Sequence, residues 1–187
     1  MENSIKTILV SAEEIESITT SLAEKITEDY KNSNKTLVVL GLLKGSLLFM
    51  SDLVKKIPLP LEIELMKVSS YGRSTVSTGI INIQFDIART DLSDVDILVV
   101  EDIIDSGNTL SRICMHLSER GAASVKTCTL LDKPSRREVD FVPDYCGMTI
   151  PDEFVVGYGL DYDEKYRNLP YIGILKPEVY GSPAENA

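Results

Sequence analysis

The chain has 187 residues, 43% apolar and 26% charged, which suits one globular domain and excludes a disordered, collagenous or coiled-coil chain. Its net charge of −10 argues against nucleic acid as a partner, since that binding rests on neutralising phosphates. The longest apolar run, Leu37 to Leu43, is far below the roughly 20 residues needed to cross a membrane, and Cys114, Cys128 and Cys146 lack the paired spacing of a disulfide or zinc framework, so a cytoplasmic protein is expected.

Ser11 to Glu14 has the spacing of a capping box, and Ile15, Ile18, Leu22 and Ile26 follow at helical intervals, which predicts an amphipathic helix over 12–30. Thr36 to Leu40 reads as a buried strand ending at Gly41. A helix follows Lys44-Gly45-Ser46 and runs to about Lys56, where Pro58 and Pro60 stop it. Leu61, Ile63 and Leu65 alternate with glutamates, as do Ile81, Ile83 and Phe85 with polar residues, so two half-buried strands flank a polar loop over 71–79. Val95 to Val100 is nearly all apolar, the pattern of a central parallel strand covered on both faces. A helix from about Thr109 to Arg120 ends at Gly121, and Val125 to Leu131 and Phe154 to Val156 supply further strands. This alternation predicts an α/β fold with a mainly parallel central sheet flanked by helices, a single domain over 1–187, and a frayed tail at about 181–187.

The chemistry concentrates after the apolar strand. Glu101 and Asp102 stand at its carboxyl end, followed by Asp105-Ser106-Gly107-Asn108-Thr109 and a helix. Ligands of open α/β sheets bind beyond the carboxyl ends of the strands, and successive N–H groups at a helix start can cradle a phosphate. Taken singly, Asp105 or Ser106 could be a helix cap and the two acids a solvated strand end; in register they point to a sugar-phosphate site. Gly41 to Ser46 has the wrong order for a P-loop, and Gly157-Tyr158-Gly159 lacks the third glycine of a dinucleotide fingerprint. His116, the lone histidine, lies in a helical pattern and reads as structural or exposed.

The segment Ile97 to Leu110 resembles the phosphoribosyl diphosphate signature of the type I phosphoribosyltransferases. Leu43-Lys44-Gly45 resembles that family's pyrophosphate loop and Ser70-Tyr71 the pair in its mobile catalytic loop. Leu131-Asp132-Lys133 resembles its base-reading segment, and Phe154 to Tyr162 with Arg167 its purine pocket, over roughly residues 10–175. Within the family the match is to the branch that salvages hypoxanthine and guanine.

The resemblance implies a type I phosphoribosyltransferase fold with a small hood and a mobile loop. It implies transfer of a phosphoribosyl group from phosphoribosyl diphosphate to hypoxanthine or guanine, giving IMP or GMP and pyrophosphate. Asp105, Ser106, Gly107, Asn108 and Thr109 would hold the 5-phosphate, Asn108 mainly through its backbone. Glu101 and Asp102 would meet the ribose hydroxyls, with Mg2+ bridging these to the pyrophosphate and Asp161 ordering a second ion. Lys44, Gly45 and Arg167 would face pyrophosphate, and Ser70 and Tyr71 would close over the reaction. Asp105 would be the acid/base, Lys133 would donate to the 6-oxo group, Phe154 would stack on the purine and Val155 would read its edge. Read without the family, Lys44 is equally an exposed helix-start lysine, Lys133 a partner of Asp132 or Glu138, and Phe154 plain core. A homodimer or homotetramer is expected from the family's habit.

Overall fold

The computed structural model describes residues 1–70 and 81–181. Strand β1 (Ile5–Val10) leads into helix α1 (Ala12–Tyr30), whose start is a closed capping box. The Glu14 N–H donates to Ser11 Oγ at 3.2 Å, and the Ser11 N–H donates to Glu14 Oε2 at 2.8 Å, so two otherwise unpaired helix-end donors are satisfied. Then follow β2 (Thr36–Leu43), α2 (Leu47–Val54), β3 (Glu62–Ser70), β4 (Ile81–Phe85), β5 (Val95–Ile104), α3 (Asn108–Glu119), β6 (Ser124–Asp132), β7 (Tyr145–Thr149), β8 (Val155–Val156), β9 (Ile172–Leu175) and α4 (Pro177–Tyr180).

Six strands make the main sheet in the order β4-β3-β2-β5-β6-β7, parallel throughout except for the β3–β4 pair. Alternate residues of each central strand feed opposite cores, because successive side chains point to opposite faces. Leu37, Val39, Leu98 and Val100 pack with Ile15, Leu22 and Ile26 of α1 and Phe49 and Leu53 of α2. Val38, Leu40, Ile97 and Val99 pack with Leu110, Ile113 and Leu117 of α3. The near-continuous apolar run of β5 is thus explained by cover on both sides.

A second sheet, β1-β9-β8, is antiparallel and forms a hood. Val10, Val155, Ile172 and Ile174 join the α1–α2 core, while Val156, Tyr166, Leu169 and Leu175 form a small cluster of their own. The loop expected over 71–79 and most of the tail expected at 181–187 lie outside the described residues.

Several boundaries differ from the sequence reading. Strand β2 continues through Gly41 to Leu43. Gly41 marks a close approach, since a Cβ there would run into the Met50 sulfur of α2. Ile63 is 53% exposed despite the alternation that suggests a half-buried residue. β1, β7 and β9 are additional strands, and β7 and β9 become strands by pairing with β6 and with the hood.

Leu98 is fully buried at the centre of the larger core. Leu98→Ala should therefore cost roughly 2–5 kcal/mol of stability, read as a lower urea midpoint with unchanged slope.

Candidate functional site

The site is built where β2, β5 and β6 end and the hood closes above them. Asp102 is buried, and Glu101 is half-buried with its Oε2 fully enclosed and without a hydrogen-bond partner. Removal from water pushes the Glu101 carboxyl well above its usual range, and the neighbouring Asp102 adds to the shift. Asp102 is likewise raised by burial, to about 6, although the Ile103 N–H that it accepts at 2.9 Å opposes this.

Two glycines make room for this pair. A Cβ on Gly45 would fall inside the Asp102 carboxylate, and one on Gly159, at φ +104°, would strike the Gly45 carbonyl. The Lys44-Gly45 turn, reached through a cis peptide after Leu43, is therefore clasped between β5 and the segment after the hood strand β8. Arg167 holds that segment in place, donating to the Gly159 carbonyl at 2.7 Å and pairing with Asp161 at 2.8 Å. Lys44 is exposed just before α2, as a helix-start lysine would be, and pairs with Glu164 at 2.8 Å.

Beyond β5, Gly107 takes a left-handed φ of +81° and caps α3. The first backbone bond of the helix runs from the Ser111 N–H to the Gly107 carbonyl at 3.0 Å, so the Thr109 and Leu110 N–H groups have no intrahelical acceptor. They stand where a phosphate is favoured. Ser106 Oγ accepts from the Asn108 N–H at 3.3 Å, and the Asn108 side chain turns away to Glu138 at 2.6 Å. Glu101, Asp105, Ser106, Gly107 and Thr109 line a cavity of about 190 Å³ at this loop.

A second cavity, of about 260 Å³, is lined by Asp102, Asp105, Lys133, Phe154, Val155 and Asp161. Lys133 is buried, and its Nζ lies 3.6 Å from Asp105 Oδ1. Its anticipated alternative partners are engaged elsewhere: Asp132 with Arg137, Glu138 with Asn108. Phe154 is 37% exposed, so it is not plain core.

Of the expected site residues, Ser70 ends β3 and Tyr71 lies outside the described residues. Glu101, Asp102 and Asp161 are not gathered into a single metal-binding cluster among the described residues, and Asp161 pairs with Arg167. The enclosed, unpartnered Glu101 oxygen beside a second buried carboxylate nevertheless suits a divalent cation, an oxygen-seeking ion of opposite charge. His116 pairs with Asp86 at 2.8 Å as part of the helix packing. Arg137, which the sequence alone leaves between bracing its own loop and assisting a neighbouring subunit, is engaged within its own chain. It bonds Asp132 and the Phe141 carbonyl at 2.8 Å and packs behind Gly107, tying the loop to the segment that carries Lys133.

The model of the phosphoribosyl transferase domain family matches residues 7–163, and the chain belongs to that family. Hypoxanthine-guanine phosphoribosyltransferases from Streptococcus pneumoniae and Staphylococcus aureus are 52% and 50% identical to it; each match covers 97% of this chain, with 99% and 100% of the respective relative. A crystal structure of a hypoxanthine phosphoribosyltransferase from Staphylococcus aureus superposes with a TM-score of 0.92 at 49% identity, covering 97% of both chains. Within the family, the chain falls in the hypoxanthine-guanine group of purine phosphoribosyltransferases.

The buried carboxyl pair has a consequence for stability. Because the folded state keeps these protons to higher pH than the unfolded chain, their stabilising contribution is complete below the ordinary values of 3.8 and 4.5; the Asp102 part is lost as pH rises through about 6, and the Glu101 part as pH rises well above its ordinary value. Without divalent cations, the double variant Glu101→Gln, Asp102→Asn should gain stability relative to the parent as pH rises from about 4 to about 7. Urea midpoints across that range would test this; curves that stay parallel would contradict it.

Proposed function

We propose that this enzyme transfers the 5-phosphoribosyl group of phosphoribosyl diphosphate to hypoxanthine or guanine, yielding IMP or GMP and pyrophosphate in purine salvage. The observation that carries this reading is that Asp105 lines both cavities, standing between the phosphate loop and the pocket that holds Lys133 and Phe154.

In this reading the 5-phosphate sits against Ser106, Gly107, Asn108 and Thr109, taking the N–H groups that the start of α3 leaves unpaired. Glu101 and Asp102 receive the ribose hydroxyls. Glu101 and Asp102 would also help to hold Mg2+, and Asp161 would order a second ion; such ions, when bound, would supply positive charge where negative charge builds on the leaving group. Lys44 and Arg167 face the pyrophosphate. As ring nitrogen 9 of the base bonds to the anomeric carbon and the bond to pyrophosphate breaks, Asp105 accepts the proton from nitrogen 7. Ser70 and Tyr71 close over the sugar and exclude water.

Lys133 donates to the 6-oxo group. A 6-amino group would oppose donor to donor in a closed pocket and is rejected. Val155 lies on β8, the edge strand of the hood, whose outer backbone groups can pair with the edge of a base. Phe154 stacks on the purine face.

The test is nucleotide formation from phosphoribosyl diphosphate and magnesium with hypoxanthine, guanine, xanthine, adenine and uracil in turn. Turnover of hypoxanthine or guanine alone among these, or with xanthine, supports the reading, whereas turnover of adenine or uracil refutes it. Asp105→Asn should keep the fold and phosphoribosyl diphosphate binding but slow turnover roughly tenfold or more. Lys133→Ala should weaken use of 6-oxopurines and blur the rejection of adenine; an unchanged base preference would remove Lys133 as the selector.

A further inference from the structure

The Phe154 ring is held against two other aromatic rings. The Tyr180 ring stacks on it with centroids 4.9 Å apart and planes within 21°, while Tyr162 meets it edge-on at 5.6 Å and 87°. Phe154 and Val155 line the cavity that holds Lys133 and Asp161, and Tyr180 does not. Tyr180 packs instead with the small cluster of Val156, Tyr166, Leu169 and Leu175. The backbone holds the pair together, since the Leu175 N–H donates to the Phe154 carbonyl at 2.8 Å and β9 runs from there into α4, which ends at Tyr180.

We propose that Tyr180 is a positioning residue for the base: it fixes the plane of the Phe154 ring so that its opposite face is ready for the purine. A phenylalanine that is 37% exposed would otherwise lose side-chain freedom each time a base bound. A stacked partner bears that ordering in advance, during folding. This rests on Phe154 being the group that stacks on the purine.

The experiment measures KM for hypoxanthine and for phosphoribosyl diphosphate, kcat and thermal midpoint for the parent, Tyr180→Phe, Tyr180→Leu, Tyr180→Ala and Phe154→Ala. Tyr180→Ala and Tyr180→Leu should both raise the hypoxanthine KM roughly three- to tenfold, the range expected for an aromatic pair, and leave the phosphoribosyl diphosphate KM unchanged. Tyr180→Phe should keep the parent value. Leucine restores apolar burial without a ring, so recovery in Tyr180→Leu would mean that Tyr180 serves only packing and would overturn the proposal. A rise in both KM values together would do the same. Should Phe154→Ala raise the hypoxanthine KM while Tyr180→Ala does not, the stacking role of Phe154 survives and the role of Tyr180 falls. If Phe154→Ala leaves the hypoxanthine KM untouched, the stacking reading fails, and the proposal with it.

Discussion

The structure is organised around two neighbouring carboxylates drawn out of water at the end of its central strand. Placing Glu101 and Asp102 there is costly, because burial penalises charge and the two repel each other, as their upward-shifted proton affinities record. The fold accepts this cost by wrapping the pair closely. Gly45 has no side chain because Asp102 occupies that space, and Gly159 has none because the Gly45 carbonyl does. Three segments distant in sequence are thereby locked to one point. The central sheet supplies the rigid base, with β5 held between β2 and β6 and covered by helices on both faces.

The flanking loops share a similar economy. Arg137 reaches from beyond Lys133 to the back of Gly107, so the loop after β5 is braced against the segment that carries Lys133. Asn108 uses its side chain for Glu138 and leaves its backbone facing the loop. Arg167 spends its charge within its own segment, on Asp161 and the Gly159 carbonyl. Such secondary contacts convert a short sequence motif into a surface with fixed geometry.

Much of this was legible in the sequence. The helix over 12–30 was marked by its capping box and apolar spacing, and α1 spans those same residues. The apolar run before Glu101 identified the central strand, and the acids with Asp105 to Thr109 identified the loop. What escaped was whatever depends on a partner. Strands β7 and β9 carry little pattern of their own and exist through pairing with β6 and with the hood. Gly41 looked like a strand end because a glycine usually breaks local order; here it lets Met50 approach the sheet. The Lys133 partner could not be chosen from sequence, since Asp105 is near it only in space. Tyr180 gives no sign in the chain that it stacks on Phe154.

The ion pairs at the mouth of the site also change what it means for an anion to bind. Lys44 already faces Glu164, and Arg167 already faces Asp161 and Glu164. An incoming anion therefore does not join an empty positive patch; it exchanges with a carboxylate that the protein itself provides. A small, singly charged ion gains little by such an exchange, because it replaces one negative charge with another at equal distance. A diphosphate can engage both of these cations at once and release their carboxylates together.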